Sequence, residues 1–166
     1  MISPAWVRMM ARYNAWQNSG LRREVETLDE AEATRDRGAF FGSILGTANH
    51  LLWGDEIWLS RFTDHPKPPG GIAASTALTP DVAAWSARRA AADAAITAWA
   101  EGLTDTEGAL SWRSGALGRD VTRSKATLYT HFFNHQTHHR GQLHAMLTAA
   151  GARPDDTDLF AMPGLD

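Results

Sequence analysis

A chain of 166 residues, 43% of them hydrophobic and 21% charged, is long enough to fold around one core and too apolar to be largely disordered. A formal charge of −3, with Lys and Arg scattered along the chain, offers no basic face to phosphates, so nucleic acid is not an expected partner. With no cysteine, disulfides, thiolate ligands and a cysteine nucleophile are excluded, and any metal must be held by nitrogen and oxygen.

The opening MISPAWVRMMARYNAW is interrupted by Arg8 and Arg12 and has neither the apolar run nor the cleavage site of a secretory signal. No stretch reaches ~18 uninterrupted apolar residues, so we expect a cytoplasmic protein with no membrane partner. Ser3 and Pro4 read as an N-cap and first helical position, and Trp6, Met9, Tyr13 and Trp16 carry a first helix to about Leu28. After the charged DEAEATRDRG segment, Phe40 to Phe62 reads as a second helix, stopped by the three prolines of HPKPPGG. Thr79 and Pro80 repeat the cap signal before a third helix, whose seam of Val82, Trp85, Ala92, Ile96, Trp99 and Leu103 is interrupted only by Arg89. Residues 104–123 suit a loop or small irregular hairpin. Ser124 then opens a fourth helix, which Gly151 ends with Pro154 just beyond. Four long amphipathic helices with long connections predict an all-α four-helix bundle in a single domain, residues 1–166.

Five of the seven histidines lie between positions 131 and 144. On the fourth helix Leu128, Phe132, His135, His139, Gln142 and Met146 step by 4 and 3, the spacing of a core seam, so His135 and His139 face inward. His131 and His138 fall off this line and His144 lies on another face, so we read them as partly exposed. Imidazoles four residues apart on a helix converge on one ion at about 2.0–2.2 Å. A third ligand must come from elsewhere, and His50 stands on a line with Phe40, Ser43, Thr47, Gly54 and Ile57 in the second helix. Its small neighbours Thr47 and Gly54 leave room for a ligand pocket. An H-x-x-x-H pair also arises by chance, so a bundle whose histidines are merely hydrogen-bonded stays an alternative.

Other chemistry finds little support. HExxH and ExxH are absent, excluding zinc proteases of that type and di-iron carboxylate bundles, and no P-loop, G-x-G-x-x-G or G-x-S-x-G is present. We expect Asp55 and Glu56 to be solvent-exposed acids. Trp53, Trp58, Tyr13 and Trp16 read as core or pocket wall, and Gly42 and Gly46 as points of close helix approach.

YNAWQNSGL, GTANHLLWGDEIWLSRF and above all FNHQTHHRGQLHAML resemble the DinB family, over nearly the whole chain. The resemblance implies an antiparallel four-helix bundle with a long crossover, frequently a homodimer, with one divalent metal (zinc, nickel or iron) on His50, His135 and His139. It further implies Asn134, Tyr13 and Trp16 as pocket or supporting residues beside Gln142, which lies one turn beyond His139 on the seam. Arg140 adjoins the ligands in sequence but points elsewhere on the helix, so a surface or dimer role is expected as much as a substrate role. Some relatives look like enzymes that use a low-molecular-weight thiol, such as mycothiol or bacillithiol, for transfer or isomerisation of a small substrate. Three ligands suit activation of a thiol or water. The alternative is a non-catalytic stress-response protein with a structural ion.

Overall fold

The structure, a computed structural model, describes residues 2–165. The Ser3 hydroxyl accepts the Trp6 amide and Pro4 takes the first helical position, so α1 (Pro4–Glu26) begins where its sequence signals it. The charged segment that follows holds a short helix, α2 (Glu30–Thr34), capped by Asp29. The next long helix, α3 (Ile44–Phe62), starts four residues later than the apolar pattern predicts. Gly42 adopts φ +76°, which ends any helical path through Phe40 and Phe41, and the Ser43 side chain caps Gly46 instead. Neither Gly42 nor Gly46 marks an approach of two helices: Gly42 is a turn residue, and a Cβ on Gly46 would meet the Phe41 carbonyl at 2.6 Å.

A 3-10 turn, Ile72–Ala77, precedes α4 (Val82–Glu101). The cap of α4 is Asp81, whose carboxylate accepts the Ala84 amide, rather than Thr79; the Thr79 hydroxyl donates to Asn49 on α3 at 2.7 Å. Residues 104–123, expected as loop or irregular hairpin, contain a regular antiparallel pair, β1 (Ala109–Ser114) and β2 (Arg119–Ser124), with Trp112 opposite Val121. The fold is therefore mostly helical with a small two-stranded sheet, not all-α. The last long helix, α5 (Lys125–Ala149), is capped by Ser124 and followed by Gly151 at φ +87°.

The long helices pack with α1 against α4 and α5, and α3 against α5 and α4. Their apolar residues form two separate clusters. One holds Leu21 and Val25 with Ile44, Leu52, Trp85, Leu143 and Leu147; the other holds Val7 and Ala11 with Leu59, Ile96, Phe132 and Phe133. The start of α1 thus meets the ends of α3 and α4 and the start of α5. It follows that α1 and α5 share one direction, α3 and α4 run oppositely, and residues 63–81 return along α3.

Between the clusters lies a buried polar layer. Arg89, the one interruption of the α4 seam, is 1% exposed and pairs with Asp55 of α3 at 2.5 Å and with Asp93 at 2.8 Å. Asn18 of α1 donates to Asp93 at 2.8 Å, and Gln136 of α5 donates to Asp55 at 2.9 Å. Asp55 and Glu56 are consequently not surface acids: both are buried, Glu56 in a two-pronged pair with Arg88. Burial raises the Asp55 carboxyl to about 6, against the pull of Arg89 and the Gln136 hydrogen bond. Arg140 is also buried, bonded to Asn14 of α1, so it is neither a surface nor a dimer-facing residue here.

Removing the cation of this layer strands two buried carboxylates. Arg89→Met should lower the unfolding free energy by about 3–5 kcal/mol in urea titrations. Arg113→Ala, which removes an exposed pair with Asp120, should leave the urea midpoint nearly unmoved.

Candidate metal centre

Buried positions of α5 fall on two adjacent lines, Phe133, Gln136, Arg140, Leu143 and Leu147 on one, and Leu128, Phe132, His139 and Met146 on the line that contains the histidines. His139 is buried and His135 half-buried, both on the side that meets α3. There His50 faces them. The ligand atoms of His50, His135 and His139 lie within 4.8 Å of one another. His139 Nε2 and His135 Nε2 are 3.1 Å apart, close to the separation of two nitrogens that share an ion at about 2.0–2.1 Å.

The hydrogen bonds around the rings specify where their protons sit. Ser75 spends its single hydroxyl proton on the Ile72 carbonyl at 2.6 Å, so it can only accept from His50 Nδ1, at 2.8 Å. His139 Nδ1 donates to Gln142 Oε1 at 2.7 Å. Both rings thus carry their proton on Nδ1 and turn an Nε2 lone pair toward the cluster, as metal-bound imidazoles do. Burial, reinforced by the nearby His139, pushes His50 down to about 4. Burial and the neighbouring histidines push His135 down to about 3, and burial lowers His139 as well. The three rings are neutral at physiological pH, the state a ligand must have. The donor set therefore fits a divalent ion.

Space for His135 comes from Gly54: a Cβ there would lie 2.8 Å from His135 Cε1. The room left on the His50 face is thus filled by a ligand ring. Phe41 covers the other side, stacked on His50 with centroids 3.8 Å apart and tilted toward His139 at 5.5 Å. No fourth His, Asp or Glu joins the cluster among the described residues. His131 and His138 are exposed neighbours, the first 5.9 Å from the His135 ring and 5.1 Å from Trp58, the second 4.8 Å from the His139 ring.

The other residues singled out from sequence separate. Gln142 touches the cluster through His139. Asn134 is exposed, with no contact to it given by any hydrogen bond of the described residues. Tyr13 and Trp16 line a different cavity, between α1 and α5, shared with Arg140 and His144. Ser75 and Phe41 escaped sequence reading, since a 3-10 turn and a glycine-bounded loop have no periodicity to point at a site. The ionic layer had a signal, the charged Arg89 on an apolar seam.

The model of the DinB family matches residues 1–164 of the chain. Neither a curated protein nor a solved structure matches it.

Two outcomes follow from this geometry. At pH 5 native His135 stays neutral while its unfolded counterpart, near 6.5, is protonated; the unfolded state binds the extra proton, so stability is lost as pH falls below about 6.5. In metal-free protein the loss between pH 7 and 5 should shrink by about 2 kcal/mol in His135→Ala, measured by urea unfolding at both pH values. Gly54→Ala, a change that favours helix, should weaken zinc binding at least ~10-fold in chelator competition by displacing His135, without deleting a ligand.

Proposed function

The chain belongs to the DinB family, and on that premise we propose that it is a divalent-metal protein whose ligands are His50, His135 and His139. The four long helices are read as one domain spanning the chain, the family's four-helix bundle, with residues 63–81 as its long crossover. We further propose that the protein is an enzyme acting on a small electrophilic substrate with water or a low-molecular-weight thiol, as a thiol transferase, isomerase or hydrolase. Zinc, nickel and iron all suit three imidazoles.

The observation that carries this reading is a set of three neutral, convergent imidazoles with no fourth His, Asp or Glu among the described residues, the donor count of catalytic zinc sites and not of closed structural ones. An ion held there lowers the pKa of bound water or thiol and polarises a substrate carbonyl. The protein's own part is orientation and exclusion. Ser75 and Gln142 hold the His50 and His139 rings in one tautomer, and Phe41 keeps water from one side of the cluster. His131 and His138 stand exposed beside the ligands. By family resemblance we also propose a homodimer and a cytoplasmic location; no helix among the described residues is long and apolar enough to cross a membrane.

A second reading, a non-catalytic protein whose ion stabilises the fold, is favoured by one observation: the cavity between α1 and α5, a second beside Phe41 and Asn49 and a third beside Phe62 and Trp99 are lined by none of the three ligands. Metal analysis of the purified protein should find one bound divalent ion per chain, largely lost in His50→Ala. The metal-loaded protein should then conjugate bacillithiol or mycothiol to, or hydrolyse, members of an electrophile panel. Failure on both counts, with a melting temperature that collapses on chelation, supports the structural ion.

A further inference from the structure

At 100° per residue, Thr137, Arg140, Gly141 and His144 lie on the side of α5 roughly opposite His135, His139 and Gln142. They line a cavity of about 260 Å³, with Tyr13 and Trp16 of α1 across from them. The C-terminal segment closes one side. The Tyr13 hydroxyl donates to the Thr157 carbonyl at 2.6 Å, Gln17 donates to the Asp156 carbonyl at 3.0 Å, and Arg23 pairs with Asp155 at 2.5 Å.

Two features of this cavity have no structural explanation in the packing. Arg140 is 5% exposed, yet no carboxylate of the described residues lies within 4.0 Å of its guanidinium. Its partners are neutral: Asn14 Oδ1, the Thr137 hydroxyl at 3.4 Å and the Tyr13 ring face at 5.4 Å. Buried guanidinium groups are ordinarily met by an anion directly. The second feature is Gly141, in the interior of α5, where glycine disfavours helix. A Cβ at this position would meet nothing within 4 Å, so no close-packed neighbour demands its absence. What the glycine does is keep the cavity wall open beside Arg140.

We propose that this cavity binds a small organic monocarboxylate, its carboxylate on the Arg140 guanidinium and its flat body against the wall that the Tyr13 and Trp16 side chains form together. A planar guanidinium matches a carboxylate in a two-pronged fashion. The Tyr13 and Trp16 rings, 6.0 Å apart and inclined at 58°, offer an apolar wall. Charge selects a single negative group. Asp55 and Asp93 are paired with Arg89, which leaves Arg140 as the cation lining the α5 wall of the cavity. Asp155 at the rim adds repulsion that a dianion feels more than a monoanion. The site is separate from the metal centre and does not depend on its reading.

Benzoate is the probe, with benzyl alcohol as its uncharged counterpart and inorganic phosphate as the dianion, titrated by NMR into full-length protein in chelator-treated and zinc-loaded forms. Benzoate should bind at least ~10-fold more tightly than either control, equally in both forms. Gly141→Leu extends a side chain into the cavity without touching the ionic layer; it should keep the circular dichroism of the parent, melt at or above the parent's temperature and lose benzoate binding. Arg140→Met should lose it too, and Gly141→Leu keeps the test decisive if that variant unfolds. Benzoate binding that matches benzyl alcohol or phosphate, persists in a folded Gly141→Leu protein, or occurs only with zinc would overturn the proposal.

Discussion

The pairing of Arg89 with Asp55 and Asp93 is the constraint on which the rest of the molecule depends. Every long helix contributes to the layer around it: Asn14 and Asn18 from α1, Asp55 from α3, Arg89 and Asp93 from α4, Gln136 and Arg140 from α5. Apolar clusters lie on either side, so sliding any helix by a turn would put charges among aliphatic side chains and leave their partners unpaired. Replacing such a layer with apolar residues often costs no stability, and its value lies in register. That register reaches the metal centre directly. Asp55 stands five residues beyond His50, and Gln136 is next to His135; the hydrogen bond between Asp55 and Gln136 holds α3 and α5 at the height where the three imidazoles meet.

The same helix, α5, serves two polar surfaces. Toward α3 it presents His135 and His139, which meet His50 of α3; Ser75 and Gln142 take the Nδ1 protons of His50 and His139, leaving the Nε2 lone pairs of those two rings for a cation. Toward α1 it presents the guanidinium of Arg140, a cation with neutral neighbours. The ligands proposed for the two faces carry opposite sign, a cation among the imidazoles and a carboxylate on the guanidinium, and the glycines beside them, Gly54 on α3 and Gly141 on α5, leave space for both.

Much of this organisation is legible along the chain. Three of the four long helices start within two residues of their predicted caps, because Ser3, Asp81 and Ser124 place an acceptor where free amides need one, and Asp81 lies beside the Thr79 and Pro80 expected to do so. The exception is α3, where the apolar Phe40 and Phe41 continue the pattern but Gly42 turns the backbone away. The H-x-x-x-H spacing placed His135 and His139 on one side of a helix by geometry alone. Family resemblance pointed to His50 as their partner. Burial of Asp55, Glu56 and Arg140 was misread, since hydrophobic periodicity treats every charge as a surface residue and is blind to charges that bury together.

The sequence by itself therefore determined the four long helices, the caps of α1 and α5 and the two histidines that share one side of α5, because these depend on contacts within a few residues, which local spacing encodes. The tertiary structure decided that His50 crosses to the other two, that Gly54 makes room, and that Arg89 gathers two acids in the middle of the protein. Apart from Arg89 and Asp93, which are neighbours on α4, those outcomes join residues 34 to 89 positions apart, and only the packing of α3, α4 and α5 brings them together.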